Sequence, residues 1–414
     1  MRVYRDRDLP LYLCVRALSR VAVLVQSVSV GWQVYALTRS PLALGIVGLV
    51  EFVPMFLLAL PAGELADRLD PRKIVALASL LEAISSALLL AFVLTRQTAV
   101  WPLYAIILLY GTARGFSRPA AQSLLPFLVP PEKLPSALAW GSSVAQLALI
   151  AGPALGGIAY AFGAAIAYGS ALVGSLASAV GMLFLGGRRA APDATALTSR
   201  LHRVREGIEF VRSRPVVFGA ISLDLFAVLL GGAVSLLPVY ARDILHVGPA
   251  GLGLLRSAPA LGAAMTALHL TRRPVERKVG RNMFGAVAVF GIGTIVFGVS
   301  RSFGLSLAAL VIIGAADQIS VYIRAALVQF ATPDAMRGRV SAVSTLFISA
   351  SNELGGFESG VTAALLGTVP AVILGGVGTL AVVAIWMRAF PPLRTVDRMR
   401  DVMPSGGALT PEAG

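Results

Sequence analysis

Residues Ile74–Leu94 read IVALASLLEAISSALLLAFVL and hold a single charge, Glu82. At 1.5 Å per residue, a helix of that length covers roughly the 30 Å hydrocarbon core of a bilayer. Arg72 and Lys73 precede the stretch and Arg96 follows it. Comparable runs fill the chain: Leu11–Leu37, Leu44–Leu65, Val100–Pro119, Ser136–Tyr160 and Ala164–Leu185, then Val216–Tyr240, Ala250–Leu270, Met283–Val299, Phe303–Ala325, Val340–Leu366 and Val369–Trp386. Strands of a membrane barrel need only about 9–11 residues and alternate in polarity. The sequence therefore predicts an all-α polytopic membrane protein with twelve transmembrane helices.

Composition narrows the function. Of 414 residues, 57% are hydrophobic and 14% charged, against about 25% charged in a soluble domain. The one cysteine, Cys14, excludes a disulfide framework and a thiolate cluster. His202, His246 and His269 stand apart, without the spacing of a ligand pair. No metal and no cofactor are expected. Nucleotide-binding and Ser–His patterns are missing from the sequence, so an enzyme is not expected either.

A net charge of +14 would suit nucleic acid, but the cations fall in alternate loops between apolar runs. One set holds Arg2, Arg5, Arg7, Arg68, Arg72, Lys73, Arg118, Lys133, the stretch from Arg188 to Arg214, and that from Arg272 to Arg281. It continues with Arg337, Arg339, Arg394, Arg398 and Arg400. The other set holds little beyond Arg39, Arg96, Arg242 and Arg301. Topology alone explains that bias, so no nucleic-acid partner is expected and both termini are expected in the cytoplasm. The first apolar run is too long for a signal-peptide core and is read as a retained span.

The basic segment 187–215 divides the chain into an N-terminal six-helix bundle (1–186) and a C-terminal one (216–390), followed by a cytoplasmic tail (391–414). Within the linker, Leu201, Val204, Ile208 and Val211 recur beside Arg200, Arg203, Arg205 and Arg212. That spacing predicts a short amphipathic helix lying on the cytoplasmic leaflet.

Gly63-Glu64-Leu65-Ala66-Asp67-Arg68-Leu69-Asp70-Pro71-Arg72-Lys73 joins the second and third runs. A tight cytoplasmic turn accounts for its cations, but not for Gly63 and Asp67 at this spacing. The segment resembles the signature loop of the major facilitator superfamily. The resemblance implies two six-helix halves and a cytoplasmic latch built from Gly63, Asp67, Arg68, Arg72 and Lys73, with the Asp67 carboxylate facing a helix N-terminus near Val340. Asp70 stands where many members carry glycine. The matching loop of the second half, Thr271 to Arg281, keeps the cations and lacks the aspartate.

Gly152, Pro153, Gly156 and Gly157 lie inside the fifth run. Kinking and small-residue packing are the simpler account of them. They also resemble the family's antiporter motif, with Ala148 replacing its first glycine, which implies export in exchange for protons. Gly31–Thr38, Pro333–Val340 and Ser351–Gly356 are similar to the branch holding enterobactin-type siderophore exporters and macrolide efflux proteins. That branch does not fix a substrate.

Charges inside spans are costly and mark function by default. They are Arg16, Arg20, Glu51, Glu82, Arg114, Asp224, Arg256, Asp317, Arg324, Glu353 and Glu358. Arg16, Arg256 and Arg324 are near enough to span ends to snorkel, whereas Asp317 and Glu353 are too deep. In the superfamily, spans one, four, seven and ten line the cavity. The resemblance thus gathers Arg20, Arg114, Asp224 and Asp317 around it, either as a substrate and proton site or as a structural salt bridge between halves. Asp317 is the expected proton-coupling carboxylate, modulated by an arginine such as Arg114, and Glu353 is the second choice.

The expected protein is a monomeric secondary transporter of the bacterial inner membrane. It exports a small organic molecule in exchange for protons by alternating access. An inward facilitator or proton symporter, or a membrane sensor or lipid-handling protein, are the rival readings.

Overall fold

The computed structural model describes the backbone of residues 7–186 and 200–403, with the side chains at 59, 60, 64, 66–68, 122 and 200–204 outside the described set. All twelve predicted runs lie in helical segments. The first half comprises α1 (Asp8–Thr38), α2 (Pro41–Arg68), α3 (Pro71–Leu94), α4 (Trp101–Leu128), α5 (Leu134–Phe162) and α6 (Ala164–Phe184). The linker helix α7 (Arg200–Ser213) leads to α8 (Pro215–Leu230) and the single turn α9 (Leu237–Val239). The second half continues with α10 (Gly248–Arg272), α11 (Val279–Val299), α12 (Phe303–Ala331), α13 (Arg337–Leu366) and α14 (Thr368–Ala389), and ends in α15 (Pro391–Thr395).

Among the described residues, nine helical segments are long and apolar enough to cross a membrane. The three remaining long helices, α4, α10 and α13, dilute their apolar residues with charge or with Gly, Ser and Pro. They carry Arg114 and Arg118, Arg256, and Glu353 and Glu358 respectively. Packing inside the bundle shields what composition alone would reject.

Local chemistry sets the helix ends. Ser40 accepts a hydrogen bond from the Ala43 amide at the start of α2, and Asp70 accepts one from Arg72 at the start of α3. Each is followed by proline at the first helical position, where a missing N–H costs nothing. At φ +144° Gly163 separates α5 from α6, and at φ +93° Gly367 separates α13 from α14. Side chains disfavour that conformation, so both turns need glycine.

The two turns occupy matching places because the halves repeat one another. In the first half α1 packs on α5 and α6, α2 on α4, and α3 on α4 and α6. In the second, α8 packs on α13 and α14, α10 on α12, and α11 on α12 and α14. Two helix pairs make most of the contact between the halves, α2 with α13 and α5 with α10, and α1 adds a smaller one with α10.

Two elements differ from the sequence expectation. The seventh run is broken rather than continuous: α8 stops at Gly231, a tight turn spans Ala233–Leu236, and a wide-turned π segment covers Tyr240–Ile244. Gly232 permits the break, since a Cβ there would lie 2.7 Å from the Ser359 hydroxyl on α13. Helix α7 forms, but its apolar side faces protein. Val211 is buried with Val217, Ile221, Val340 and Val343, and Ile208 packs against them. Arg339 pairs with Glu206 at 2.8 Å. Burial against α8 and α13 removes the stripe that was expected to lie on lipid. Leu201 and Val204 fall outside the described side chains, as do residues 187–199 and 404–414 altogether.

Candidate functional site: charged groups inside the bundle

In the first half, α1 and α4 each present two arginines one turn apart, Arg16 with Arg20 and Arg114 with Arg118. Gly111 lets α4 lie on the backbone of α2 at Glu51, because a Cβ there would stand only 2.9 Å from Pro54 Cγ. One turn further on, the Arg114 guanidinium forms an ion pair with Glu51 and sits 5.8 Å from the Tyr110 ring centroid. Glu82 on α3 is buried, with Arg114, Arg16 and Arg20 as its charged neighbours. Its Oε2 has no hydrogen-bond partner among the described residues.

The second half holds a separate cluster. Arg324 on α12 donates to Asp224 on α8 at 2.5 Å, with side-chain exposures of 5% and 6%. Arg324 is therefore an interior residue and does not snorkel. Asp317, two turns earlier on α12, is half-buried, and its charged neighbours are Asp224 and Arg324. The arginine beside Asp317 is thus Arg324, seven residues on along the same helix face, and not Arg114. Arg114 and Asp224 each find their ion-pair partner within their own half.

Glu353 bridges the halves. It projects from α13 towards α2, where a Cβ on Gly48 would lie 3.6 Å from its Oε2. Its charged neighbours are Glu51, Arg114 and Arg118 of the first half and Arg256 on α10. Arg256 donates to the Ser27 carbonyl of α1 at 3.1 Å, and the Gln146 side-chain amide of α5 donates to the Ala260 carbonyl of α10 at 2.9 Å.

Beyond this mid-height layer, contacts between the halves hold the end of the bundle that carries Arg39. Tyr35 and Arg39 of α1 both hydrogen-bond Asp243 in the π segment, the latter at 2.9 Å. Glycines make two seams there. Gly45 of α2 meets Gly360 of α13, and Gly157 of α5 meets Gly253 of α10, so closely that a Cβ on Gly360 would stand 2.8 Å from the Gly45 Cα. Toward the opposite end, which carries Asp8, a cavity of about 500 Å³ opens between α12 and α13. Arg324, Gln329, Ser341, Ser344 and Thr345 are among its lining residues.

The residues of the signature loop and of the glycine motif in α5 make other contacts. Arg72 is held within the first half: it grips Asp70 at 2.6 Å and donates to the Leu185 carbonyl at the end of α6 at 2.7 Å. Lys73 is exposed and Gly63 buried, while the side chains of Asp67 and Arg68 fall outside the described set. Gly152 and Gly156 receive Leu24 and Val25 of α1, each within 2.8 Å of where a Cβ would be. Gly157 turns to the other half, and Pro153 presents its carbonyl to Gly253.

Glu51, Arg118 and Arg256 belong to the charged layer although the sequence does not assign them to the site. Arg118 falls among the loop cations by sequence, yet it lies ten residues before the end of α4. Its spacing of four from Arg114 was the available signal.

Two repeated helical halves, joined along two helix pairs and carrying charge at mid-height, define a membrane transporter of the major facilitator type and not an enzyme. The chain belongs to the transmembrane secretion effector family, which matches residues 10–406. Among its relatives is the enterobactin exporter EntS of Citrobacter koseri, 26% identical over 397 residues, which cover 95% of this chain and 94% of the relative. The enterobactin exporter EntS of Shigella boydii is 25% identical over 380 residues, covering 92% and 91%.

Solved structures share the fold. A bacterial homolog of the human lysosomal transporter Spinster, inward-facing and occupied, superposes with a TM-score of 0.73 at 13% identity, covering 95% of this chain and 99% of that one. A POT family transporter gives 0.72 at 15% identity, covering 94% and 97%.

Proposed function

We propose that the protein exports a small organic molecule across the bacterial inner membrane by alternating access, in exchange for protons. Both termini lie in the cytoplasm in this reading. The one-sided cations support that orientation: Arg7, Arg72, Lys73, Lys133, Arg277, Lys278, Arg337 and Arg339 lie toward the Asp8 end, with Arg39, Arg96, Arg242 and Arg301 opposite. The Asp8 end is then the cytoplasmic mouth, and the described state is closed to the outside. The names of the relatives support export as the direction.

The observation that carries the reading is the position of Glu353. Its charged neighbours belong mostly to the other half, so rocking of the halves changes the field around it. Its proton affinity then depends on which side is open, as exchange of proton for cargo requires. The neighbours of Asp317 sit in its own half and travel with it. Glu353 is therefore the proposed coupling carboxylate, ahead of Asp317, with Arg20, Arg114 and Asp224 around the cargo path. The Asp67 latch belongs to the same proposal, at the cytoplasmic mouth.

The test uses radiolabelled, iron-free enterobactin with purified protein in vesicles, with and without a pH gradient. Wild type is expected to accumulate it only with the gradient. Glu353→Gln is expected to keep exchange of label across the membrane and to lose gradient-driven accumulation. Accumulation surviving in Glu353→Gln would return the coupling role to Asp317.

A further inference from the structure

The two arginine pairs of the first half stand on facing helices. Arg16 and Arg20 on α1, like Arg114 and Arg118 on α4, are four residues apart and share a helix face. Arg20 has Arg16, Arg118 and Arg114 as charged neighbours of its own sign and Glu82 as one of the opposite sign, and the Tyr12 phenol beside it donates its proton to the Ala121 carbonyl at 3.1 Å. Only Arg114 has an ion-pair partner, Glu51. Arg16, Arg20 and Arg118 make no hydrogen bond or ion pair among the described residues. Arg118 is exposed although it lies inside α4.

Counting Glu51 and Glu82 as ionised still leaves this wall with two positive charges in excess. The facing wall, with Asp224, Asp317 and Glu353 against Arg256 and Arg324, is negative by one. Like charges four residues apart on a helix repel, and charge inside a membrane protein is costly without a partner. A mobile anion supplies what the fold leaves out.

We propose that α1 and α4 form an anion-binding wall, and that the transported molecule is an organic anion whose carboxylate, phenolate or phosphate group docks on Arg20 and Arg118. The inference rests on the transport reading above and names its substrate class. Guanidinium groups suit the task because they stay charged and present several donors to an oxyanion.

Purified full-length protein in phosphatidylcholine nanodiscs is titrated with carboxyfluorescein and with rhodamine 123, xanthenes of similar shape and opposite charge, and anisotropy is followed. The anion is expected to bind and the cation not. Arg20→Gln and Arg118→Gln should each weaken the anion about tenfold, as loss of a charged hydrogen bond predicts. Arg205→Gln, on the exposed side of α7, should leave binding unchanged.

The first two substitutions should also raise the melting temperature of the empty protein by relieving repulsion, whereas a structural role would lower it. Preference for the cation, absence of anion binding, or binding indifferent to both substitutions overturns the proposal. So does loss of dye binding on adding phosphatidylglycerol to the discs, which would make lipid headgroups the occupant. Dye flux in vesicles is scored separately. Anion binding without flux of either dye overturns transport and keeps the anion wall. Flux of rhodamine 123 alone keeps transport and overturns the anion class.

Discussion

Asp224 and Arg324 pair with their side chains almost fully buried, and removing one partner strands the other. Breaking such a buried pair costs about 3–5 kcal/mol, while replacing both partners with apolar groups of similar size is often neutral. Asp224→Leu alone should therefore lower the melting temperature sharply, and Asp224→Leu with Arg324→Met should recover most of the loss. Thermal melts of the purified variants decide it. Asp70 works outside the membrane. Partial burial would raise its carboxyl, but hydrogen bonds from the Arg72 side chain and amide, with the charges of Arg72 and Lys73, outweigh that and hold it below the ordinary 3.8. A depressed carboxyl stabilises the fold above its unfolded value and loses that contribution as pH falls through the folded one. The stability gap between wild type and Asp70→Asn should be constant above about pH 5 and close progressively below 3.8. The gap itself should be about 1 kcal/mol or less, since solvent screens the pair. Arg118, close to a span end, and Arg324, near enough to one to snorkel, escaped the sequence, but most interior charges were legible in it, because hydrocarbon makes each one conspicuous. Their partners were not: Glu51 and Arg114 lie 63 residues apart, and a single sequence holds no signal linking them.

At the scale of the element, hydropathy located every long helix, because an apolar run the width of a bilayer has few other fates. It failed at the interruptions. The break in α8 follows from the close approach of α13 at Gly232, a contact invisible until both helices are placed. Likewise α7 has the pattern of a lipid-facing helix, and only the neighbouring surfaces of α8 and α13 decide otherwise. Glycines in α5 were legible as packing residues, though not which helix each receives. Gly157 faces α10, where a Cβ would lie 2.8 Å from the Gly253 Cα. Gly157→Val should hold α5 off α10 and loosen the Arg39 end. A cysteine placed by Gly31→Cys, beside Pro238 between the halves, should then react with a water-borne thiol reagent at least several-fold faster. Gly141→Val, with open space around it, should leave that rate unchanged.

For the whole molecule, the proposed alternating access makes the Arg39 end, held by Asp243 across the halves, one side of a two-state balance. Asp243 contributes a hydrogen bond from Tyr35 and a partly exposed ion pair with Arg39. A charged hydrogen bond is worth about 1.5–3 kcal/mol and an exposed pair up to about 1. Asp243→Asn should thus shift the population toward the state open at that end by about tenfold. Spin labels at the exposed positions Arg96 and Arg301, one in each half, would report this as a growing long-distance fraction. An unchanged distribution would move the lock from Asp243 to the glycine seams.

Those seams have a genetic consequence. Every glycine codon is a single base from an alanine codon, and at Gly157, Gly253 or Gly360 even that smallest side chain adds a methyl group where another backbone already stands. At Gly141, Gly169 and Gly285 the same base change adds a methyl that meets nothing within 4 Å. Inherited variation should therefore be tolerated at such open positions and purged along the two seams, whose glycines carry no charge and no polar side chain. A lineage that relaxed its need for a tight seal, trading a pump for a leak, would record the change first at those codons.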